Sequence, residues 1–331
     1  MSEQTVIQIK ALNKTYPRGF VHRYEALKNV DLSVKKAEIF GFLGPNGAGK
    51  TTLIKSILGL LKHDSGSIKL FDKDIDNTDV KSNIGYLPET PNFYSYLTAF
   101  EIMKLYARLY NMKDSSLTPH PPLSGGQHSE SLSDKGGFKG SVDAVIKEKL
   151  ELVGLKDAIH TRLRAFSKGM LQRLGMAQAL INDPALLILD EPMSGLDPIG
   201  RAEFKEIMRS LRKQGKTIFF SSHIIPDAEE LCDRVAVIRK GQIIKTGSVT
   251  ELVDTGTTSV DITAKGKMND QRKHIVNNIT YNNEQCIFHV GSMDKTNAVL
   301  SELIKNGFIV IKVEPVRQTL ETLISKMIKE N

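Results

Sequence analysis

Two kinds of apolar pattern alternate along the chain. Residues 39–43, 185–189 and 217–220 are continuous apolar runs of strand length, which predict buried parallel strands. Between them apolar residues recur at helical spacing: Leu53, Ile54, Ile57, Leu58 and Leu61 in one stretch, and Leu171, Leu174, Ala177, Leu180 and Ile181 in another. Buried strands alternating with amphipathic helices predict an α/β fold built on a mostly parallel sheet. Residues 6–16 read as a strand of an antiparallel edge sheet near the N-terminus.

The patterning divides the chain into a large domain, 1–250, and a C-terminal domain, 251–331. Helical spacing over 100–112 and 142–153 predicts a helical subdomain inserted at about 97–165. It is interrupted by 114–141, rich in Ser, Gly and Pro with few apolar residues, which is expected to be a mobile loop. In the C-terminal domain, strands over 259–264, 286–290 and 308–313 alternate with helices over 295–306 and 319–329, predicting a small α+β accessory domain. No motif in that domain carries chemistry, so dimer stabilisation is expected of it rather than ligand sensing.

Candidate chemistry sits at the ends of two predicted strands. Gly44, Pro45, Asn46, Gly47, Ala48, Gly49, Lys50 and Thr51 fit GxxxxGK[ST] and lie between an apolar strand and a helix. Glycines let successive N–H groups converge on phosphate oxygens, and the helix N-terminus adds partial positive charge. Lys50 would reach the β and γ phosphates and the Thr51 hydroxyl would hold Mg²⁺, with Thr52 following in the first helical turn. The expected fold is therefore a P-loop NTPase core. The second run, 185–189, delivers Asp190 and Glu191 to the sheet edge where α/β proteins bind ligands. Phosphoryl transfer needs one acid for the metal and another for the attacking water: Asp190 suits the first role and Glu191 the second.

Composition narrows the setting. At 331 residues, with no run approaching the length of a transmembrane helix and no signal-peptide apolar region, the chain is expected to stay in the cytoplasm. Cys232 and Cys286 are too few and too far apart for a metal site and read as reduced thiols. The net charge of +7 lies wholly in the first domain, because residues 251–331 hold ten basic and ten acidic residues. Its cations are dispersed without interleaved aromatics, so no nucleic-acid partner is expected; a surface near anionic headgroups explains the charge as well.

Further segments complete an ordered set: Gly85, Tyr86, Leu87, Pro88, Glu89; then Phe166, Ser167, Lys168, Gly169, Met170; then Asp190 and Glu191; then Ser194, Gly195, Leu196, Asp197, Pro198; then His223. With the Gly44–Thr51 cradle, this set resembles the nucleotide-binding subunit of ATP-binding cassette (ABC) transporters over about residues 5–250. The resemblance implies that Glu89 occupies the Q-loop position and can approach Mg²⁺ or the lytic water. It also implies that His223 is the switch histidine and that Ser167, Gly169 and Asp197 contact nucleotide. Lys168 for the usual glycine and Glu89 for glutamine look like the exporter branch of the family.

Leu123, Ser124, Gly125, Gly126 and Gln127 spell the family signature LSGGQ letter for letter, yet residues 128–140 are almost devoid of apolar residues and cannot begin a core-packing helix. Ser167 precedes a stretch with helical spacing that leads into the acidic strand, so the signature is assigned to Ser167 and Gly169. Purine recognition needs an aromatic face. Tyr16, where the family places it, is the candidate, with Phe20 and Tyr24 as nearby competitors.

If the family geometry holds, Ser167 cannot reach its own cradle. Two copies, as a homodimer or heterodimer, would then face head to tail around ATP and Mg²⁺. The resemblance implies an ATPase that drives a separate transmembrane permease, engaged through the helical subdomain and the Glu89 loop, from the inner face of the cell membrane. A soluble ABC ATPase acting on ribosomes or DNA, and an ATP-dependent regulator without transport, are the alternatives.

Overall fold

The computed structural model describes residues 4–18, 22–112, 141–253, 259–266, 279–282, 285–291, 293–316 and 319–324. In chain order the first elements are β1 (Thr5–Arg18), β2 (His22–Lys35), β3 (Ile39–Leu43), α1 (Lys50–Ile57), β4 (Ser65–Leu70), β5 (Lys73–Asp74), α2 (Thr78–Lys81), β6 (Ile84–Leu87), α3 (Ala99–Leu109) and α4 (Val142–Leu152). They continue with α5 (Lys168–Ala179), β7 (Leu186–Leu189), α6 (Pro198–Lys213), β8 (Thr217–Ser222), α7 (Ile225–Leu231), β9 (Arg234–Arg239) and β10 (Gln242–Ser248). The last are α8 (Val249–Val253), β11 (Ser259–Lys265), β12 (Ile279–Asn282), β13 (Gln285–Val290), α9 (Met293–Lys305) and β14 (Ile309–Val316). The chain divides into two compact units between Thr246 and Gly247.

In the first unit, a six-stranded sheet runs in the order β10-β9-β3-β8-β7-β6, with β9, β3, β8, β7 and β6 pairing in parallel. The apolar runs take its centre: every residue of β3 and β7 is buried. Phe219 stacks on Phe40, ring centroids 5.9 Å apart, and meets Phe42 at 5.7 Å. Each such ring fully withdrawn from water is worth about 1.5–3 kcal/mol. A second sheet, β2-β1-β4-β5, is antiparallel throughout and carries the N-terminal hairpin. Strand β3 has crossover connections to both sides of itself, and its C-terminal end is the topological position at which such sheets hold ligands.

The helices of the inserted subdomain start where their side chains satisfy free amides. Thr98 Oγ1 accepts from the Glu101 amide while Glu101 Oε2 accepts from the Thr98 amide, a capping box at the head of α3. Ser141 caps α4 through the Asp143 amide, and Lys104 pairs with Asp143 at 3.0 Å to join the two helices. The Ser/Gly/Pro-rich insertion falls on residues outside those described, apart from Ser141.

The second unit has a sheet of order β12-β13-β11-β14, antiparallel throughout, with α9 packed on it. Its core is Val260, Ile262, Ala264, Cys286, Phe288, Val290, Leu303 and Phe308. The strand β12 was not read from the sequence. Of the final predicted helix, residues 320–324 are helical and the rest lies outside the described residues.

Candidate functional site

The loop from Gly44 to Gly49 leaves β3 and turns into α1 through two residues with positive φ, Gly47 at 78° and Gly49 at 112°. A Cβ on Gly49 would stand 2.5 Å from the Ala26 carbonyl oxygen, and one on Gly44 would stand 2.4 Å from that of Ile238. Only glycine lets this backbone lie so close to β2 and β9. Lys50 is buried at the start of α1, and its Nζ donates to the carbonyls of Gly44 (2.7 Å) and Pro45 (3.2 Å).

Strand β7 ends beside this loop. Asp190 and Glu191 are both buried, and Glu191 takes a positive φ of 47°, which turns its carboxylate toward the cradle. Lys50 Nζ lies 3.1 Å from Glu191 Oε1, close enough for charge pairing but off the hydrogen-bonding direction, so that oxygen accepts no hydrogen bond. His223 Nδ1 is 2.8 Å from Glu191 Oε2. A carboxylate only accepts, so this contact requires a proton on Nδ1. The Ser221 hydroxyl donates to Asp190 Oδ1 at 2.7 Å and accepts the Glu191 amide at 2.9 Å, tying β8 to both acids. Tyr86 on β6 faces this charge: burial first, then the Asp190 carboxylate, push its phenol up to about 12, so it stays protonated.

A cavity of about 540 Å³ gathers Asn46, Gly47, Gly49, Lys50, Thr51, Thr52, Glu89, Glu191, Ser194 and His223. Most residues predicted at the cradle therefore meet there, with Pro45 and Ala48 facing an adjoining cavity of about 670 Å³. Tyr16 lines neither. It pairs across the hairpin with Tyr24 and its ring lies 5.6 Å from Lys14 Nζ. Tyr24 lines both cavities, and its hydroxyl donates to the Gly47 carbonyl at 2.9 Å. Phe20 lies outside the described residues.

Ser167, Gly169 and Asp197 line a different cavity, of about 700 Å³, on the same unit. Ser167 Oγ accepts the Met170 amide at 3.2 Å and caps α5, as the helical spacing predicts. Asp197 caps α6 through the Gly200 amide at 2.7 Å. Ser124 lies outside the described residues. Helix α6 and the segment after His223 are joined by charge: Lys205 pairs with Asp227 and Glu230, Arg209 with Glu230, and Arg212 with Asp233.

Ser221 is the polar contact that sequence reasoning missed as a site residue, and Tyr24, which it weighed only as a competitor of Tyr16, is the tyrosine beside the phosphate loop. The available signal for Ser221 was a pair of serines closing an otherwise apolar central strand. For Tyr24 it was the register of the hairpin, which no spacing rule supplies.

A glycine cradle at the end of a central strand, faced by two acids from the end of another strand of the same sheet, defines a nucleoside triphosphatase of the phosphate-loop α/β class. The ABC transporter family matches residues 27–194. An uncharacterized ABC transporter ATP-binding protein of Synechocystis is 36% identical over 99% of this chain and 86% of its own length. The fluoroquinolones export ATP-binding protein of Mycobacterium tuberculosis is 37% identical over 75% of this chain and 72% of its own. Among solved structures, an ATP-binding subunit of an ABC transporter superposes with a TM-score of 0.60 at 26% identity, covering 75% of this chain and 91% of that one.

The chain belongs to the ABC transporter ATP-binding family. It is an ATPase, the nucleotide-hydrolysing subunit of an ABC membrane transporter.

Proposed function

We propose that this chain powers export as one half of a head-to-tail pair, with each ATP enclosed by the cradle of one subunit and the Ser167 helix of the other. The observation that carries this reading is the separation of two cavities within one protomer. Lys50, Thr51, Glu191 and His223 line one, while Ser167, Gly169 and Asp197 line another. A site that needs both sets is completed by a second subunit, either a copy of this chain or a homologue.

The residues present fit MgATP. The backbone at Gly44 and Gly49 lies too close to its neighbours for a Cβ, which lets the loop fold onto phosphates at the head of α1, and Glu191 Oε1 is a buried acceptor without a donor, where a water would be held. Among the described residues no group of three or more His, Cys, Asp or Glu could hold a metal alone. That suits Mg²⁺, which takes one or two protein ligands beside nucleotide phosphates. Thr51 and Asp190 would hold it, with Glu89 near, and it would neutralise charge on the transferred phosphoryl group. Glu191 would polarise the attacking water, and His223 would orient Glu191 through its Nδ1–H.

The export direction is supported by the Mycobacterium tuberculosis relative and by the Ser167–Met170 and Tyr86–Glu89 segments. For the permease, the segment between the Glu89 loop and α3 offers exposed Tyr94 and Tyr96, whose rings lie 5.8 Å apart, and α3 itself carries exposed Leu105 and Leu109. Such a patch beside the Glu89 loop fits a short cytoplasmic helix of a membrane protein. Among the described residues no helix is long and apolar enough to cross a membrane, so the chain would act at the inner face through that partner.

The test is the ATPase rate per molecule as protein is diluted, together with copurification. The reading expects the specific rate to fall as subunits separate, and a polytopic membrane protein to copurify unless Tyr94 and Tyr96 are changed to Asp. A rate independent of concentration, or cosedimentation with ribosomes in place of a membrane partner, would overturn it.

A further inference from the structure

We infer that strand β14 is a second, nucleotide-independent dimer contact, in which two copies of this chain pair antiparallel along their β14 edges. The strand closes one side of the sheet in the second unit, and no described strand pairs with its outer edge. Four large hydrophobic residues of that unit are exposed among the described ones: Ile304 at the end of α9, then Ile309, Ile311 and Val313 on β14. Exposed apolar area is thus concentrated on one edge.

The faces on which these residues lie indicate what covers them. Val313 is opposite Ile262, on the core side of the sheet, whereas Ile309 is opposite Lys265, on the other side, because the ladder shifts register between Thr263 and Ala264 and leaves Ile311 as an extra residue in β14. A helix laid on one face would cover only one of them. A strand added alongside would cover both, because its own side chains alternate between the two faces.

Charge selects the second copy as that strand. Lys312 and Glu314 flank Val313 and pair with each other at 2.5 Å within the strand. In an antiparallel pair with its twofold axis at Val313, Lys312 of each copy stands opposite Glu314 of the other. The edge is therefore self-complementary in one register, as an isologous interface requires. Pro315 donates no amide and removes at most one ladder bond on each side. The competing explanation is that the register shift at Ile311, with Lys312, Glu314 and Pro315, blunts the edge against pairing. A blunted edge has no need of the exposed Ile309, Ile311 and Val313.

The test uses the full chain without nucleotide, in EDTA, so that the ATP-bridged pair does not contribute; Lys50→Ala supplies the same separation by mutation. Sedimentation should show a dimer. Lys312→Glu should weaken it about tenfold, Glu314→Lys likewise, and the double substitution should restore it, because the pairing is only reversed in sign. Val313→Cys should form a symmetric intermolecular disulfide under mild oxidation much faster than Ile304→Cys, with the unaltered chain as control for Cys232 and Cys286. A monomer without nucleotide, a double substitution no better than either single one, or equal cross-linking at positions 313 and 304 would overturn the inference. Loss of this dimer with retained ATP-dependent pairing would leave the cassette reading intact.

Discussion

Lys50 Nζ and Glu191 Oε1 stand 3.1 Å apart, joining the helix that begins at the phosphate loop to the acid that ends the central strand. Both groups are buried, and each has other partners: two loop carbonyls hold the ammonium, and His223 holds the second carboxylate oxygen. A charge pair of this kind is poised to be exchanged, because phosphate oxygens compete for the lysine and a water competes for the carboxylate. Glu191→Gln is therefore expected to keep MgATP binding while lowering kcat by about 10²–10⁴. Radioactive phosphate release beside equilibrium nucleotide binding separates the two effects.

Ser221 lies wholly inside the sheet and serves both acids with one hydroxyl. In Ser221→Ala, the Asp190 carboxylate and the Glu191 amide lose their partner without gaining water. A stability loss of about 1–3 kcal/mol is expected, with a lower kcat at unchanged protein content. Chemical denaturation and steady-state hydrolysis measure the two losses.

Tyr24 bonds the phosphate loop and lines the cavities on either side of it. Tyr24→Phe should weaken ATP binding about fivefold, the worth of one neutral hydrogen bond, and Tyr24→Ala about tenfold or more through loss of the ring. Tyr16→Ala should have the smaller effect. Nucleotide titration of the three variants checks the order, and a reversed order would return the purine to Tyr16.

The charge ladder between α6 and the residues after His223 carries a pH signature. Lys205 first, then Arg209, holds the Glu230 carboxyl below its ordinary range. A depressed acid contributes stability above its unfolded pKa and loses it as pH falls through the folded one. Glu230→Gln should then lower the melting temperature near neutral pH, by at most about 2 °C because the carboxylate is half exposed, and the difference should vanish in acid. A difference that grows in acid would contradict the pairing.

Much of this molecule was legible in advance because its central strands are buried on both faces. Residues 39–43 and 185–189 had no polar position to blur their assignment, and they fix where the cradle and Asp190 fall. The start of α5 was legible for a different reason: a serine able to cap stands directly before a stretch of helical spacing. What escaped was relational. The Tyr16–Tyr24 register, the reach of Ser221 to two acids, and the ladder from Lys205 to Glu230 depend on which strands and helices become neighbours, and local periodicity does not encode that.

The assignment of the signature helix is tested by substitution at each candidate serine. Ser167→Arg places a bulky cation on the cap of α5 and should abolish hydrolysis, whereas Ser124→Arg should leave the rate unchanged. ATP turnover by the two purified variants decides between them.

The shared site is tested most directly by mixing two inactive variants, Lys50→Ala and Ser167→Arg. In a mixed pair, one nucleotide meets the intact cradle of the Ser167→Arg subunit and the intact signature helix of the Lys50→Ala subunit. The account predicts that hydrolysis returns on mixing, to roughly a quarter of the unaltered rate if pairs form at random. Failure of any mixture to regain activity, with both variants folded and mixed pairs shown to form in MgATP, would contradict it.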